Sequence, residues 1–200
     1  MRAFKQSVGL LGGSFDPVHN GHLSIARSFV ESSYLSELWL LLTPESPHKT
    51  QQEFTEYDLR FEMLSCAFKD KDKIVVSDVE KRLLPPYYTL QTLQHITAQH
   101  PDKKFYLCMG EDSLVHFHTW HKWRDILCCC ELLVARRPSF QPGTLDPEIS
   151  SKTHYVVHQP VDISSSEIRE KVRNGVDITD LVPSPVADII TRHQLYRNKE

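Results

Sequence analysis

The sequence predicts an α/β fold, a parallel sheet with helices on both faces, and three observations carry that prediction. Apolar runs of strand length alternate with segments of helical periodicity along the whole chain. The run 37–43 is almost continuously apolar, as a strand covered on both faces requires. The residues with chemical promise fall just after predicted strands. Ligands of open, Rossmann-like sheets bind there, beyond the strand carboxyl ends at a switch in strand order. Two hundred residues suit one domain, 1–200, with one core.

Composition narrows the classes. With 40% hydrophobic and 24% charged residues the chain reads as an ordinary soluble globular protein. A net charge of −3 gives no sign of a general nucleic-acid surface, so any affinity for phosphate must be local. The first six residues lack the apolar stretch of a signal peptide and no run reaches membrane-spanning length, so a cytoplasmic protein with no membrane partner is expected. Five cysteines fit that compartment, and no disulfide is expected. Cys128, Cys129 and Cys130 would diverge by about 100° each on a helix and cannot jointly hold one metal.

The first predicted strand, 7–11, runs into a glycine-rich turn and then a helix over 20–33. Gly12 and Gly13 carry no Cβ, so backbone there can approach a ligand closely, and Pro17 fixes a turn. Asn20 is the expected N-cap, with Leu23, Ala26 and Val30 following on one face. The free N–H groups and dipole of that helix end favour an anion. His19 and His22 stand at the same end, able to donate hydrogen bonds or carry charge near neutral pH. Together these parts suit a phosphate chain. They form neither the GxGxxG fingerprint nor a P-loop, since no GK[ST] follows. Metal ligation by the two histidines is an alternative, but zinc needs three or four placed ligands. Plain surface histidines are the other.

A strand over 37–43 leads into a polar loop with Pro44, Pro47, His48 and Lys49, where the lysine suits a point-charge contact with phosphate or is simply solvated. A helix over 57–68 has Leu59, Met63, Leu64 and Ala67 as its apolar face, and after a strand over 73–79 the pair Pro85-Pro86 breaks the chain. Thr89 opens a helix over 89–99, either as its cap or as a ligand hydroxyl. After a strand over 104–109, Gly110 permits close approach and Asp112 can cap a helix or accept from ribose hydroxyls. Helical stretches over 112–117 and 120–129 follow, with Trp123, Ile126 and Leu127 as core. A strand over 131–135 ends in Arg136 and Arg137, which point to opposite faces, so only one readily meets a site. A Pro/Gly/Ser-rich loop spans 138–151, a strand 154–157, and helices 164–173 and 185–196 close the chain. Ser164 with Glu167 makes a capping box, and free N–H groups, further hydroxyls and Arg169 stand at the same helix end.

The run Gly12-Gly13-Ser14-Phe15-Asp16-Pro17-Val18-His19-Asn20-Gly21-His22 resembles the signature of the nucleotidyltransferase superfamily, whose hallmark is His-x-Gly-His. The run Ile163-Ser164-Ser165-Ser166-Glu167-Ile168-Arg169 is similar to that superfamily's second motif. Pro47-His48-Lys49, the pair Tyr88-Thr89 followed by Gln91-Thr92-Leu93, Trp120, and Arg137 before Pro138 narrow the resemblance to bacterial nicotinate-nucleotide adenylyltransferases. It covers the chain from about Val8 to Tyr196. One departure is Ser139, where the family usually has glycine.

The resemblance implies a nucleotidyltransferase-type fold and transfer of the adenylyl group of ATP to nicotinate mononucleotide, releasing pyrophosphate. It places ATP against Gly12, Gly13, Ser14, Phe15, His19, His22, Gly110, Asp112, Ile163, Ser164, Ser165 and Arg169. It places the nicotinate nucleotide against Tyr88, Thr89, Trp120 and the backbone N–H of His121. Trp120 would stack on the pyridine ring while backbone N–H groups hold its carboxylate. His19, His22, Lys49, Arg137 and Arg169 are the implied charge-stabilising residues. Mg²⁺ would arrive with ATP, bound mostly through phosphates and water, with no metal ligand from the protein. Three other readings are the same transfer to nicotinamide mononucleotide or phosphopantetheine, a non-catalytic nucleotide-binding module, and a zinc hydrolase using His19 and His22.

Overall fold

The computed structural model describes residues 6–44, 54–138 and 143–198. Six parallel strands form one sheet: β1 (Gln6–Gly13), β2 (Glu37–Leu42), β3 (Ile74–Ser77), β4 (Lys103–Gly110), β5 (Glu131–Arg136) and β6 (Thr153–Val157). Their order across the sheet is β3-β2-β1-β4-β5-β6. The chain therefore steps outward one way from β1, crosses back, and steps outward the other way from β4. The crevice at that reversal lies beyond the carboxyl ends of β1 and β4, as the sequence reading expected.

Alternation along the strands sends side chains to two cores. Val8 and Leu10 of β1 face one, with Leu93, Ile96, Leu114, Ile126 and Ile149. Leu11 faces the other, with Phe29, Leu38, Met63, Ile168 and Ile189. Helices α1 (Asn20–Val30), α2 (Tyr57–Phe68), α7 (Ser165–Arg173) and α8 (Ser184–Arg192) cover this second face. Helices α3 (Thr89–Gln99), α4 (Glu111–Val115), α5 (Trp123–Cys129) and α6 (Pro147–Ser151) cover the first. After β6 the chain thus returns to the face of α1. That return brings the N-terminus of α7 beside the N-terminus of α1.

Several boundaries move. The N-cap of α1 is His19, and Asn20 is instead its first helical residue, spending its amide on Asp180 O at 2.9 Å. Tyr88, not Thr89, is the N-cap of α3. The helix expected from 120 begins at Trp123, because Trp120 ends a 3₁₀ turn over Phe117–Thr119. The loop expected over 138–151 contains α6, opened by Asp146, whose side chain accepts from Glu148 N–H, with Pro147 as the first helical residue. The last helix stops at Arg192, and Gln194 and Tyr196 adopt left-handed backbone. In α2 the buried stripe runs Arg60, Met63, Leu64, Ala67, with Leu59 only half-buried. A charge holds an inward position that the apolar pattern had given to its neighbour.

The thiol of Cys130 is pushed up to about 12 and that of Cys108 further, chiefly by burial, which keeps both protonated. No described helix is long and apolar enough to cross a membrane.

Candidate active site

A cleft of about 710 Å³ opens over the carboxyl ends of the central strands. Its lining takes Gly12, Gly13, Ser14 and Phe15 from the turn after β1, His19 and His22 from the mouth of α1, and Gly110 from the end of β4. Ile163, Ser164, Ser165 and Arg169 enter from the start of α7, and Tyr88, Thr89, Trp120 and His121 from the far wall. A Cβ added at Gly12 or Gly110 would meet nothing within 4 Å, so both positions leave main chain bare to the cleft.

The two motifs at opposite ends of the sequence are joined by hydrogen bonds. Ser165 Oγ donates to Pro17 O at 2.9 Å, and Arg169 Nη1 donates to Asp16 O at 2.7 Å. The capping box expected at α7 is present: Ser164 Oγ accepts from Glu167 N–H and Glu167 Oε2 accepts from Ser164 N–H at 2.9 Å. Two helix N-termini therefore open onto one space, each with a positive dipole end.

The histidines are set by local geometry. The N–H of His19 donates to Nδ1 of His22 at 3.2 Å, so a neutral His22 carries its proton on Nε2 and presents it as a donor. The two rings lie 3.8 Å apart between centroids. Gly21 makes this possible, because a Cβ there would stand 3.0 Å from His19 Nδ1 and Cε1. Burial lowers His19 to about 4, with Glu167 opposing, and burial then the His19 ring hold His22 well below the usual histidine range. Before ligand binds, both imidazoles are neutral at pH 7. They act as oriented dipoles, whereas the sequence alone leaves donor and cation both open.

On the far wall Tyr88 and His121 stack, with ring centroids 4.2 Å apart and planes 19° off parallel, and Trp120 stands beside Phe117. Glu80 also lines the cleft, a buried carboxyl the sequence reading did not single out. Its Oε1 accepts from Thr92 Oγ1 at 2.9 Å, and burial raises its proton affinity against the nearby hydroxyls of Thr43 and Thr92. No periodic or motif signal marks Glu80 in the sequence.

Two expected residues stand outside the lining. The side chain of Asp112 is 93% exposed and that of Arg137 more than half exposed, with Arg137 Nη2 4.0 Å from the Asp112 carboxylate. The turn into α4 instead buries Glu111, whose carboxylate accepts from Arg137 N–H and pins the end of β5, while Ser113 faces the cleft. Lys49, His48 and Ser139 lie outside the described residues. Among the described residues no three His, Cys, Asp or Glu side chains converge as metal ligands.

A bare glycine turn and paired imidazoles at one helix mouth, with a second mouth hydrogen-bonded to it, thus surround one cleft. The cytidylyltransferase-like family model matches residues 10–171. A Flavobacterium johnsoniae protein named probable nicotinate-nucleotide adenylyltransferase is 34% identical over 190 residues, covering 95% of this chain and 98% of that one. A Clostridium tetani protein of the same name is 32% identical, covering 94% and 98%. The solved structure of Plasmodium falciparum nicotinic acid mononucleotide adenylyltransferase complexed with NaAD superposes with a TM-score of 0.77 at 22% identity, over 96% and 97% of the two chains. The chain belongs to the cytidylyltransferase-like nucleotidyltransferases and, within them, to the nicotinate-nucleotide adenylyltransferase family.

Proposed function

We propose that this protein joins ATP to nicotinate mononucleotide, forming deamido-NAD and pyrophosphate in NAD biosynthesis in the cytoplasm. The observation that carries the reading is the stitching of the two helix mouths, Ser165 to Pro17 and Arg169 to Asp16, around one cleft lined by His19 and His22. The acceptor phosphate attacks the α-phosphorus in line: a new P–O bond forms, the bridging P–O bond breaks, and its electron pair leaves on pyrophosphate. The nucleophile is already anionic, so the site needs no general base and no covalent nucleophile. Positioning and charge stabilisation supply the catalysis.

His22 Nε2–H donates to phosphate oxygen as charge grows on the leaving group. Arg169, with two of its donors holding Asp16 O and Ser166 Oγ, adds fixed positive charge at the same wall. Lys49 and, from the rim, Arg137 are the further cations of this proposal. Mg²⁺ enters as part of the ATP substrate, held by phosphates and water. The acceptor ring lies against Trp120, with Tyr88, Thr89 and the His121 backbone around it.

The test is pyrophosphate release from Mg-ATP and nicotinate mononucleotide by the wild type and His22→Ala. Turnover should fall by about 10² or more in the variant, with folding little changed. A variant with nearly full turnover would remove the histidine from the mechanism.

A further inference from the structure

Behind the cleft lining, three chain segments converge on one side chain that plays no direct part in the proposed transfer. Arg60 is 1% exposed. Its Nε donates to Thr55 O at 2.8 Å, its Nη1 to Ser14 O and Thr43 O at 2.9 Å each, and its Nη2 to Pro44 O at 2.8 Å. Five N–H donors in a rigid planar fork let one guanidinium fix carbonyls from separate segments, which a lysine cannot do. Asp16, also 1% exposed, gives the buried cation its counter-charge. The Asp16 carboxylate accepts from the Tyr196 hydroxyl at 2.6 Å and from Thr55 N–H at 3.2 Å, and its carbonyl accepts from Arg169.

Stability alone does not account for this choice. Arg60 occupies an inward position of α2, followed on the same face by Met63, Leu64 and Ala67, and well-packed apolar residues often replace buried ion pairs without loss. What the arginine adds is orientation. It draws the Ser14 carbonyl under the turn, and the planar peptide sends the N–H of Phe15 the opposite way, towards the cleft that Ser14 and Phe15 line. Phe15 is held at φ 44°, a backbone conformation that an aromatic residue keeps only when its surroundings impose it.

We propose that Arg60, braced by Asp16 and Tyr196, is a positioning residue that sets the main chain of the turn after β1 for the ATP triphosphate without touching it. This rests on the reading of the cleft as an ATP site.

The test is steady-state kinetics of wild type, Arg60→Lys, Tyr196→Phe and Ile149→Ala. Ile149 is a buried residue of α6 on the opposite face of the sheet, so its variant controls for lost stability. The KM for ATP should rise about tenfold in Arg60→Lys and about threefold in Tyr196→Phe, since a small misplacement of a binding group costs that much or more. The KM for the acceptor nucleotide should stay within about twofold, and Ile149→Ala should leave both values there. A purely structural role would shrink the active fraction, and hence kcat, with both KM values unchanged; that pattern overturns the proposal. Should Arg60→Lys fail to fold, an unchanged ATP KM in Tyr196→Phe decides against it equally. An inactive wild type would reject the functional reading instead, and the Kd for Mg-ATP from calorimetry then replaces KM with the same expected rise.

Discussion

At the residue scale, the chemistry of the site depends on two imidazoles whose protonation the surrounding fold decides. His19 falls from an ordinary value of 6.5 to about 4, mainly by burial. Between those two values the unfolded chain takes up a proton that the folded chain refuses. Stability therefore falls as pH drops through that window, by an amount on the order of 3 kcal/mol for this group. The difference in Tm between wild type and His19→Gln, followed from pH 7 to pH 4, checks it: the wild type should lose more stability than the variant. His22 shifts in the same direction. The sequence placed both histidines correctly at a helix mouth, and His-x-Gly-His was its most legible feature. Their neutrality was not legible, because it comes from burial, which depends on how the fold packs the two rings against each other and against Phe15.

At the element scale, glycines on β1 divide between packing and function. A Cβ at Gly9 would stand 2.5 Å from Leu35 Cδ1, 2.8 Å from Cys108 Sγ and 2.9 Å from Leu38 Cδ1, inside a filled core. At Gly12, three residues on, it would meet nothing and enter the cleft. Gly9→Ala should cost about 1–3 kcal/mol by overpacking and lower Tm. Gly12→Ala should leave Tm nearly unchanged and weaken ATP binding. A thermal melt and an ATP titration on both variants check the pair, and a loss of stability at Gly12 matching that at Gly9 would contradict it. Strand positions and the cores of the long helices were readable from period and apolar runs. The short helix α6 was not, since five residues carry too little period. The cap of α1 was misplaced for a different reason: Asn20 has the usual chemistry of a cap, but its amide is drawn to Asp180 in the connection between α7 and α8.

At the scale of the molecule, strand order does what no single motif can. The reversal between β1 and β4 opens the crevice, and the return of α7 to the face of α1 closes one wall of it with the second motif. The sequence held both motifs but not the hydrogen bonds that join them. It also held Arg60 in plain view, a charge spaced three and four residues before Met63 and Leu64, where an inward position was due. Its partners were not readable, because four carbonyls from three loops leave no trace in side-chain pattern. The turn into α4 was less legible: the helix starts one residue early and buries Glu111, while the neighbouring Asp112 side chain is exposed.

In the proposed reaction this cleft joins an adenylyl group to an acid-bearing pyridine nucleotide. The most direct measurement is pyrophosphate release from Mg-ATP with nicotinate mononucleotide and nicotinamide mononucleotide side by side, the product identified by mass. Strong release with the acid, yielding deamido-NAD, and weak release with the amide is the predicted result. Equal or greater release with the amide would keep the transfer chemistry and overturn the pocket of Trp120 and His121. Absence of release with either would contradict the proposed adenylyl transfer.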